Sequence, residues 1–219
     1  MKELFILNQQ PSIADQFLAE LRDVRVQHDS MRFRNNLRRL GHLIAYEISK
    51  ELDYTEKTIN TPLAQANVKT LENQPILMTI LRAGLPYYEG FRDVFDKSYS
   101  GFIGAYRRAN EEAPDGFDIY LGYSAFPDIT DKEIIVVDPM LATGASLCKS
   151  LNKVLEFGTP KMIHISATLA APEGVEYLKK ELNAPFKLWL CALDEKLNEK
   201  AYIYPGLGDA GDLAFGEKL

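Results

Sequence analysis

The chain has 219 residues, of which 46% are hydrophobic and 26% are charged, and its formal net charge is −6 at pH 7. These values are typical of a globular domain with a large core, and the negative charge disfavours nucleic acid as a main partner, because phosphate binding needs a basic face. The two cysteines are too few for a disulfide framework, no Cys/His spacing matches a zinc site, and no apolar run has transmembrane length.

The N-terminal part of the chain predicts one long helix. Residues 1–10 lack a basic region followed by an apolar stretch, so we expect a cytoplasmic protein without a membrane partner. From 30 to 52, apolar residues recur at spacings of three and four, which predicts an amphipathic helix. They are Leu37, Leu40, Ile44, Ile48 and Leu52. We expect the arginines of this helix, Arg32, Arg34, Arg38 and Arg39, to be solvated or paired, with phosphate contact as the alternative.

Extended segments follow this helix. Residues 58–68 look extended, with Pro62 favouring an edge or a break, and a polar turn at 69–74 leads into a buried strand at 75–81. Aromatic-rich segments at 99–106 and 117–123 then flank an acidic stretch that contains proline and glycine. This pattern predicts a long hairpin, or flap, over about 106–123.

Strand and helix signals alternate in the second half of the chain. We predict strands at 133–138, 162–169 and 186–192 and helices at about 144–156 and 172–182. Such alternation indicates an α/β fold, with a parallel sheet covered by helices on both faces.

The glycine-rich tail at 202–216 is expected to be an ordered loop and not a helix, because Ile203, Leu207 and Phe215 supply apolar anchors that a disordered end would not need. No linker or repeat is visible, so residues 1–219 are expected to form a single domain.

A phosphate site is predicted at 134–146. Four β-branched residues at 134–137 indicate a strand buried on both faces, and Asp138 lies at its carboxyl end. The small residues at 142–146 let backbone N–H groups converge on an anion where the next helix begins, and Thr143 and Ser146 add hydroxyl groups. The spacing matches neither G-x-x-x-x-G-K-[ST] nor G-x-G-x-x-G, which disfavours triphosphate hydrolysis and dinucleotide binding.

A second strand-to-loop joint lies at 80–85. Arg82 offers a forked set of donors to phosphate oxygens, and Ala83 and Gly84 leave the backbone accessible. The carboxyl ends of parallel strands meet at one sheet edge, so we expect this joint beside Asp138. Taken alone, an Arg-Ala-Gly turn is more often structural.

The glycines of the tail leave its backbone C=O and N–H groups accessible to a ligand.

Together these segments resemble the uracil phosphoribosyltransferases, a type I phosphoribosyltransferase family. Residues 138–144 are similar to the family's loop for phosphoribosyl pyrophosphate (PRPP), with Pro139 where relatives usually have a second acid. Residues 81–84 resemble its pyrophosphate loop, and residues 202–216 closely resemble its uracil loop. The resemblance implies a type I phosphoribosyltransferase-like α/β fold with a flap hairpin and a C-terminal base-recognition loop. It also implies a pentosyltransferase of pyrimidine salvage, which transfers 5-phosphoribosyl from PRPP to N1 of uracil to give UMP and diphosphate.

The resemblance also implies residue roles. The PRPP-binding residues would be Arg82, Ala83, Gly84, Arg107, Asp138, Pro139, Met140, Leu141, Ala142, Thr143, Gly144, Ala145, Ser146 and Asp209. The uracil-binding residues would be Ile203, Gly208, Asp209 and Ala210. Of the catalytic residues, Asp138 would accept hydrogen bonds from the ribose hydroxyls and Arg107 would clamp the pyrophosphate. Asp209 would either bind Mg²⁺-PRPP through water or help to remove the N1 proton.

The implied substrates are uracil and PRPP. Mg²⁺ would arrive with PRPP and have no direct protein ligand, because the side chain of Pro139 cannot bind metal. GTP as an allosteric effector and a homodimer or larger homo-oligomer also follow from the resemblance. One alternative is a pyrimidine sensor of the same fold that binds RNA with weak or no catalysis, and another is a phosphoribosyltransferase for a different base.

The chain departs from the family pattern at three places. Ala145 stands where a second glycine is usual, the run 86–88 replaces a Gly-Met continuation, and Ala125 takes a place where lysine is frequent. The first would narrow the phosphate site if that position needs a positive φ, which alanine tolerates poorly.

Overall fold

The structure, a computed structural model, describes residues 4–109 and 117–217, with the backbone alone at 105–109 and 117–121. The strands are β1 (Leu4–Ile6), β2 (Tyr54–Asn60), β3 (Gln65–Leu71), β4 (Ile76–Leu81), β5 (Ser100–Ala109), β6 (Phe117–Ala125), β7 (Glu133–Val137), β8 (Met140–Leu141), β9 (Met162–Ala170), β10 (Phe186–Leu193), β11 (Lys196–Leu197) and β12 (Ile203–Tyr204). The helices are α1 (Ile13–Arg22), α2 (Ser30–Ser49), α3 (Leu85–Val94), α4 (Ala145–Val154), α5 (Pro172–Glu181) and α6 (Ala210–Phe215).

A mostly parallel sheet forms the centre of the molecule. Its strand order is β1-β10-β9-β7-β4-β5-β6, with the short β8 beside β9. All neighbouring strands are parallel except β5 and β6, which pair antiparallel as the predicted hairpin. The acidic part of the predicted flap, at 110–116, lies outside the described residues.

Helices cover both faces of this sheet, as predicted. In β7, Ile134 and Val136 pack in one core cluster with residues of α4 and α5. Ile135 and Val137 pack in the other, with residues of α1, α2 and α3. A strand buried on both faces has no polar alternation, which explains the unbroken apolar run at 134–137.

Helix α2 confirms the predicted amphipathic helix. It begins after Asp29, whose side chain accepts hydrogen bonds from the N–H groups of Met31 and Arg32, and it ends at Ser49, short of the expected residue 52. The five predicted apolar positions are all buried.

Each of the four arginines of α2 has a partner within the described residues. Arg32 and Arg38 pair with Glu20 and Asp93, at 3.1 and 2.7 Å. Arg39 donates to Asn36 Oδ1 at 2.9 Å, and Arg34 donates to the Ala214 carbonyl oxygen at 2.6 Å.

The structure corrects the sequence-based prediction at the tail. Residues 210–215 form the short helix α6, where we expected a loop throughout. Asp209 caps this helix by accepting from the N–H groups of Gly211 and Asp212, and Ala214 packs in the core cluster that contains α2 residues. The cap and this packing outweigh the unfavourable helix propensity of Gly211.

Other differences are smaller. The extended segment at 58–68 is the hairpin of β2 and β3, which is separate from the main sheet and turns at 61–64, where Pro62 lies. Strand β3 runs to Leu71, so the polar turn is shorter than predicted. Helices α1 and α3 and strand β1 were not predicted.

No helix in the described ranges combines the length and apolar character needed to span a membrane.

The run 86–88, a departure from the family pattern, begins α3. Pro86 lies in the first turn, and Tyr87 and Tyr88 are fully buried. The Tyr87 hydroxyl is 2.6 Å from Ser166 Oγ and 3.6 Å from Cys191 Sγ.

Burial raises the pKa of Cys191 to about 12 and that of Cys148 to about 11, so both cysteines are thiols that fill the core.

Helices α2 and α3 cross where two glycines meet. A Cβ added to Gly90 would overlap the Arg38 carbonyl oxygen and lie 2.9 Å from Gly41 Cα. The crossing therefore depends on the absence of a side chain at both positions.

We expect Gly90→Ala to lower the free energy of unfolding by about 2 kcal/mol, because the methyl group forces two packed backbones apart. Urea denaturation followed by circular dichroism measures the change. Asn35→Ala, at an exposed position of α2, is the control and should change stability by less than about 0.5 kcal/mol. A Gly90→Ala protein as stable as the parent would contradict the packing described here.

Candidate active site

The predicted site begins where two neighbouring strands end. Strands β4 and β7 are parallel neighbours, with Thr79 opposite Val137. The buried Thr79 hydroxyl donates to the Val137 carbonyl oxygen at 3.1 Å. A Cβ on Gly84 would overlap Thr79 Oγ1 and lie 2.8 Å from the Ile80 carbonyl oxygen. The loop after β4 therefore folds tightly over the end of β7, as the strand-end argument predicts.

Asp138 is the first residue beyond β7. Its N–H donates to the Ser166 carbonyl oxygen at 3.1 Å, and the Met140 N–H is 3.5 Å from its Oδ1. Burial raises the pKa of this carboxyl from 3.8 to about 7, an effect that the Met140 N–H only partly offsets. A carboxyl that titrates near neutrality at a strand end is a recognised mark of a functional site.

The chain after Asp138 returns to the sheet before it forms the predicted phosphate loop. Met140 and Leu141 form β8 beside β9, and the Pro139 and Leu141 carbonyl oxygens accept from the N–H groups of Leu169 and Ala171. The backbone of 139–141 is therefore tied to β9, and the turn that leads into α4 is formed by 142–144.

The geometry of this loop depends on Gly144. Its φ is +77°, and a Cβ there would lie 2.8 Å from the Gly174 carbonyl oxygen. Ala145 is already the first residue of α4, where φ is negative, so replacing the family's second glycine does not strain the loop. The Thr143 hydroxyl accepts from the Ala145 N–H at 3.3 Å.

A cavity of about 50 Å³ lies against this loop. It is lined by Asp138, Met140, Leu141, Ala142, Thr143, Gly144, Ser146 and Leu147. Backbone N–H groups at the start of a helix, beside a small cavity, are an arrangement that can bind phosphate.

Arg82 links the first loop to the C-terminal tail. Its Nη2 donates to Asp212 Oδ1 at 3.1 Å and to the Gly216 carbonyl oxygen at 2.8 Å. The peptide bond between Leu81 and Arg82 is cis. A Cβ on Gly211 would lie 3.7 Å from Ala83 Cβ, so α6 lies directly against the loop after β4.

The predicted base loop presents its backbone, and its apolar side chains point inward. Ile203, Leu207 and Ala210 are buried in the core cluster on which Met140 and Ala142 also pack. Gly208 has a φ of +95°, and a Cβ built there would meet nothing within 4 Å. Residues 203–210 thus combine anchored side chains with open space at Gly208.

The structure brings together the sequence-predicted residues of three segments: 82–84, 138–146 and 203–210. Arg107 lies on β5, opposite Ile119 in the backbone register, and its side chain is outside the described part of the chain. Ala125 ends β6, opposite Phe102.

Three residues that the sequence interpretation missed, together with Arg34 of α2, hold the tail in place. Arg22 forms a two-pronged ion pair with Asp194, whose side chain is 5% exposed, at 2.6 and 2.8 Å, and also donates to the Gly206 carbonyl oxygen. Asp194 accepts from the Gly206 N–H at 2.9 Å, and Gln27 donates to the Leu207 carbonyl oxygen at 3.0 Å. Arg34, described above, meets the end of α6.

Asp194 follows a parallel strand, so its position was a readable signal. Arg22 and Gln27 carried none, because only the fold brings them to the tail.

Comparison with known proteins agrees with this geometry. A model of the family described as uracil phosphoribosyltransferase matches residues 8–217. A curated protein of Porphyromonas gingivalis, named uracil phosphoribosyltransferase, is 43% identical over 217 residues, which are 99% of this chain and 100% of that protein.

Solved structures share the fold of this chain. A protein of Aquifex aeolicus superposes with a TM-score of 0.83 at 30% identity and covers 97% of this chain and 98% of its own. A purine phosphoribosyltransferase of Pyrococcus horikoshii has a TM-score of 0.50 at 14% identity, over 73% of this chain and 84% of its own, which indicates a shared fold alone.

We expect Asp194→Asn to loosen the base loop and lower the free energy of unfolding by about 3 kcal/mol, because it leaves the guanidinium of Arg22 without its counter-charge. Hydrogen exchange at 203–210, together with urea denaturation, measures both effects. Asp23→Asn removes the partner of a far more exposed arginine, Arg25, and should leave both unchanged. Unchanged exchange in Asp194→Asn would show that the ion pair does not hold the loop.

We expect Asp138→Asn to stabilise the protein at high pH. A raised folded-state pKa means that the folded chain binds more protons than the unfolded chain between pH 4 and 7, so the free energy of unfolding falls as pH rises through that window. Removing the carboxylate removes this penalty, so the variant should melt about 4–8 °C above the parent at pH 8. The two should melt alike at pH 4, and a variant less stable than the parent at pH 8 would contradict the raised pKa.

Proposed function

The chain belongs to the uracil phosphoribosyltransferase family, and from this premise we propose how its residues transfer the 5-phosphoribosyl group of PRPP to N1 of uracil. The products are UMP and diphosphate, and the reaction is one of pyrimidine salvage. The observation that carries the assignment of roles is the meeting of the β4 end, the β7 end and the tail at one sheet edge.

The phosphate loop holds the 5′-phosphate. Backbone N–H groups at the start of α4 and the Thr143 hydroxyl supply donors, and the positive φ of Gly144 turns the chain around the anion. Asp138 then accepts hydrogen bonds from the 2′- and 3′-hydroxyls of the ribose. As a carboxylate, it also stabilises the positive charge that develops on the ring as the bond from C1 to diphosphate breaks.

The loop after β4 binds the leaving group. Arg82 and the backbone of Ala83 and Gly84 meet the diphosphate. The family resemblance adds Arg107 as a second cation for this group. These cations offset the negative charge that grows on diphosphate in the transition state.

Mg²⁺ fits this site as part of the substrate. No group of three or more metal-binding side chains occurs among the described residues, and Pro139 occupies the place of a second acid. A Mg²⁺ ion carried by PRPP would offset negative charge on the diphosphate group, in addition to the charge of Arg82.

Uracil lies against the backbone of 203–210, with the open space at Gly208 as the slot. Oδ1 of Asp209 is engaged in capping α6, which leaves Oδ2 for either proposed role, water-mediated contact with Mg²⁺-PRPP or removal of the N1 proton. Backbone groups that match uracil leave two mismatched polar contacts with cytosine, which disfavours cytosine.

The remaining expectations rest on the family resemblance. We propose a cytoplasmic homodimer or larger assembly that GTP activates, which light scattering and assays with and without GTP test. The RNA-binding alternative is disfavoured by the net charge and by the paired arginines of α2. RNA affinity that falls steeply with salt, without UMP formation, would support it instead.

We expect Asp138→Asn to reduce kcat for UMP formation about 100-fold or more, because the ring charge loses its stabilising carboxylate. The assay measures UMP from uracil and Mg²⁺-PRPP at pH 8, where this variant should also be the more stable protein, so lost activity cannot be attributed to unfolding. Asp131→Asn, at an exposed turn residue, is the matched control and should keep full activity. Full activity in Asp138→Asn would overturn the proposed role.

A further inference from the structure

The cation proposed to bind diphosphate already has a partner on the tail. Arg82 and Asp212 form an ion pair with side chains 40% and 34% exposed, and the same Nη2 of Arg82 also meets the Gly216 carbonyl oxygen. Asp212 lies in the first turn of α6, directly after the base loop. The free protein therefore holds its pyrophosphate loop against the helix that follows the uracil loop.

We propose that Asp212 is a positioning residue that competes with the diphosphate group of PRPP for the guanidinium of Arg82. The inference rests on the proposed function, in which diphosphate binds at the loop after β4. The Asp212 carboxylate is then a second negative group that binds the same guanidinium.

The charges explain why the contact is a competition. A carboxylate and a diphosphate are both anions, and they repel each other when they approach one guanidinium from neighbouring directions. Arg82 has further N–H donors at Nε and Nη1 that bond to no other described residue, so diphosphate can engage the fork and draw it away from Asp212. Because the pair is partly exposed, it is weak enough to be displaced.

Displacement of Asp212 from Arg82 affects both the binding of PRPP and the release of diphosphate. When diphosphate takes Arg82, α6 loses its two contacts with that side chain and keeps those made by Asp209 and Arg34. When diphosphate is the product, Asp212 recaptures Arg82 and favours release. Asp212 thus lowers the affinity for PRPP and for diphosphate together.

The test compares Asp212→Asn with the parent by isothermal titration of Mg²⁺-PRPP and of diphosphate. Asparagine keeps the shape and removes the charge, so both dissociation constants should fall about threefold to fivefold, as expected for losing a partly exposed ion pair. The KM for PRPP should fall in step, and Asp212→Glu, which restores the charge, should return it toward the parent value. A purely structural role would weaken binding, so unchanged or weaker binding in Asp212→Asn overturns the inference.

Two further variants distinguish competition at Arg82 from a general effect of net charge. Glu217→Gln removes one negative charge from the same tail at a residue that pairs with no described side chain, and it should leave PRPP affinity unchanged. An equal gain in Glu217→Gln would assign the effect to net charge and overturn the competition.

In an Arg82→Ala background, Asp212→Asn should have no further effect on PRPP affinity, and any residual gain would show that Asp212 does not act through Arg82. Arg82→Ala alone must weaken PRPP binding, and if it does not, the proposed diphosphate site itself fails. If Arg82→Ala weakens binding while Asp212→Asn leaves it unchanged, the site stands and only the competition is wrong.

Discussion

The parallel pairing of β4 with β7 is the constraint on which the rest of the site depends. Thr79 lies opposite Val137, and its buried hydroxyl joins the two strands at their carboxyl ends. The chain must leave both strands in the same direction, so a loop with an arginine and a loop with an aspartate emerge side by side. Donors held by a rigid sheet need little reorganisation when an anion binds, which is the main source of electrostatic stabilisation in enzymes.

Asp138 destabilises the fold when it is ionised, because its carboxylate is buried. Burial raises the pKa of this carboxyl to about 7, so its ionised form is unfavourable until a ligand supplies hydroxyl donors. A purely structural residue at this strand end would be apolar or fully hydrogen-bonded. The cost is met by the two-sided core around β7, where each of the residues 134–137 is buried.

The glycine-rich tail is held in one conformation by side chains from distant parts of the chain. In the proposed function the backbone of the tail reads a small base and must stay accessible, so the tail needs support from side chains elsewhere in the fold. The ion pair of Arg22 with Asp194, the amide of Gln27 and the guanidinium of Arg34 bind carbonyl and N–H groups of the tail or of the residue next to it. Arg82 also contacts the tail, through Asp212 and the Gly216 carbonyl oxygen, so the cation proposed to bind diphosphate also makes a structural contact.

The sequence by itself determined the parallel α/β fold and the family, and it predicted the phosphate loop, because these depend on local patterns: a β-branched run that ends in an acid, small residues before a helix, and a glycine-rich tail. It did not reveal that residues 210–215 form a helix, since the cap of Asp209 and the packing of Ala214 outweigh local propensity. Only the tertiary structure brought Arg22 and Gln27 to the tail and Asp212 to Arg82. These contacts join residues up to 184 positions apart, and no local pattern encodes a distance of that kind.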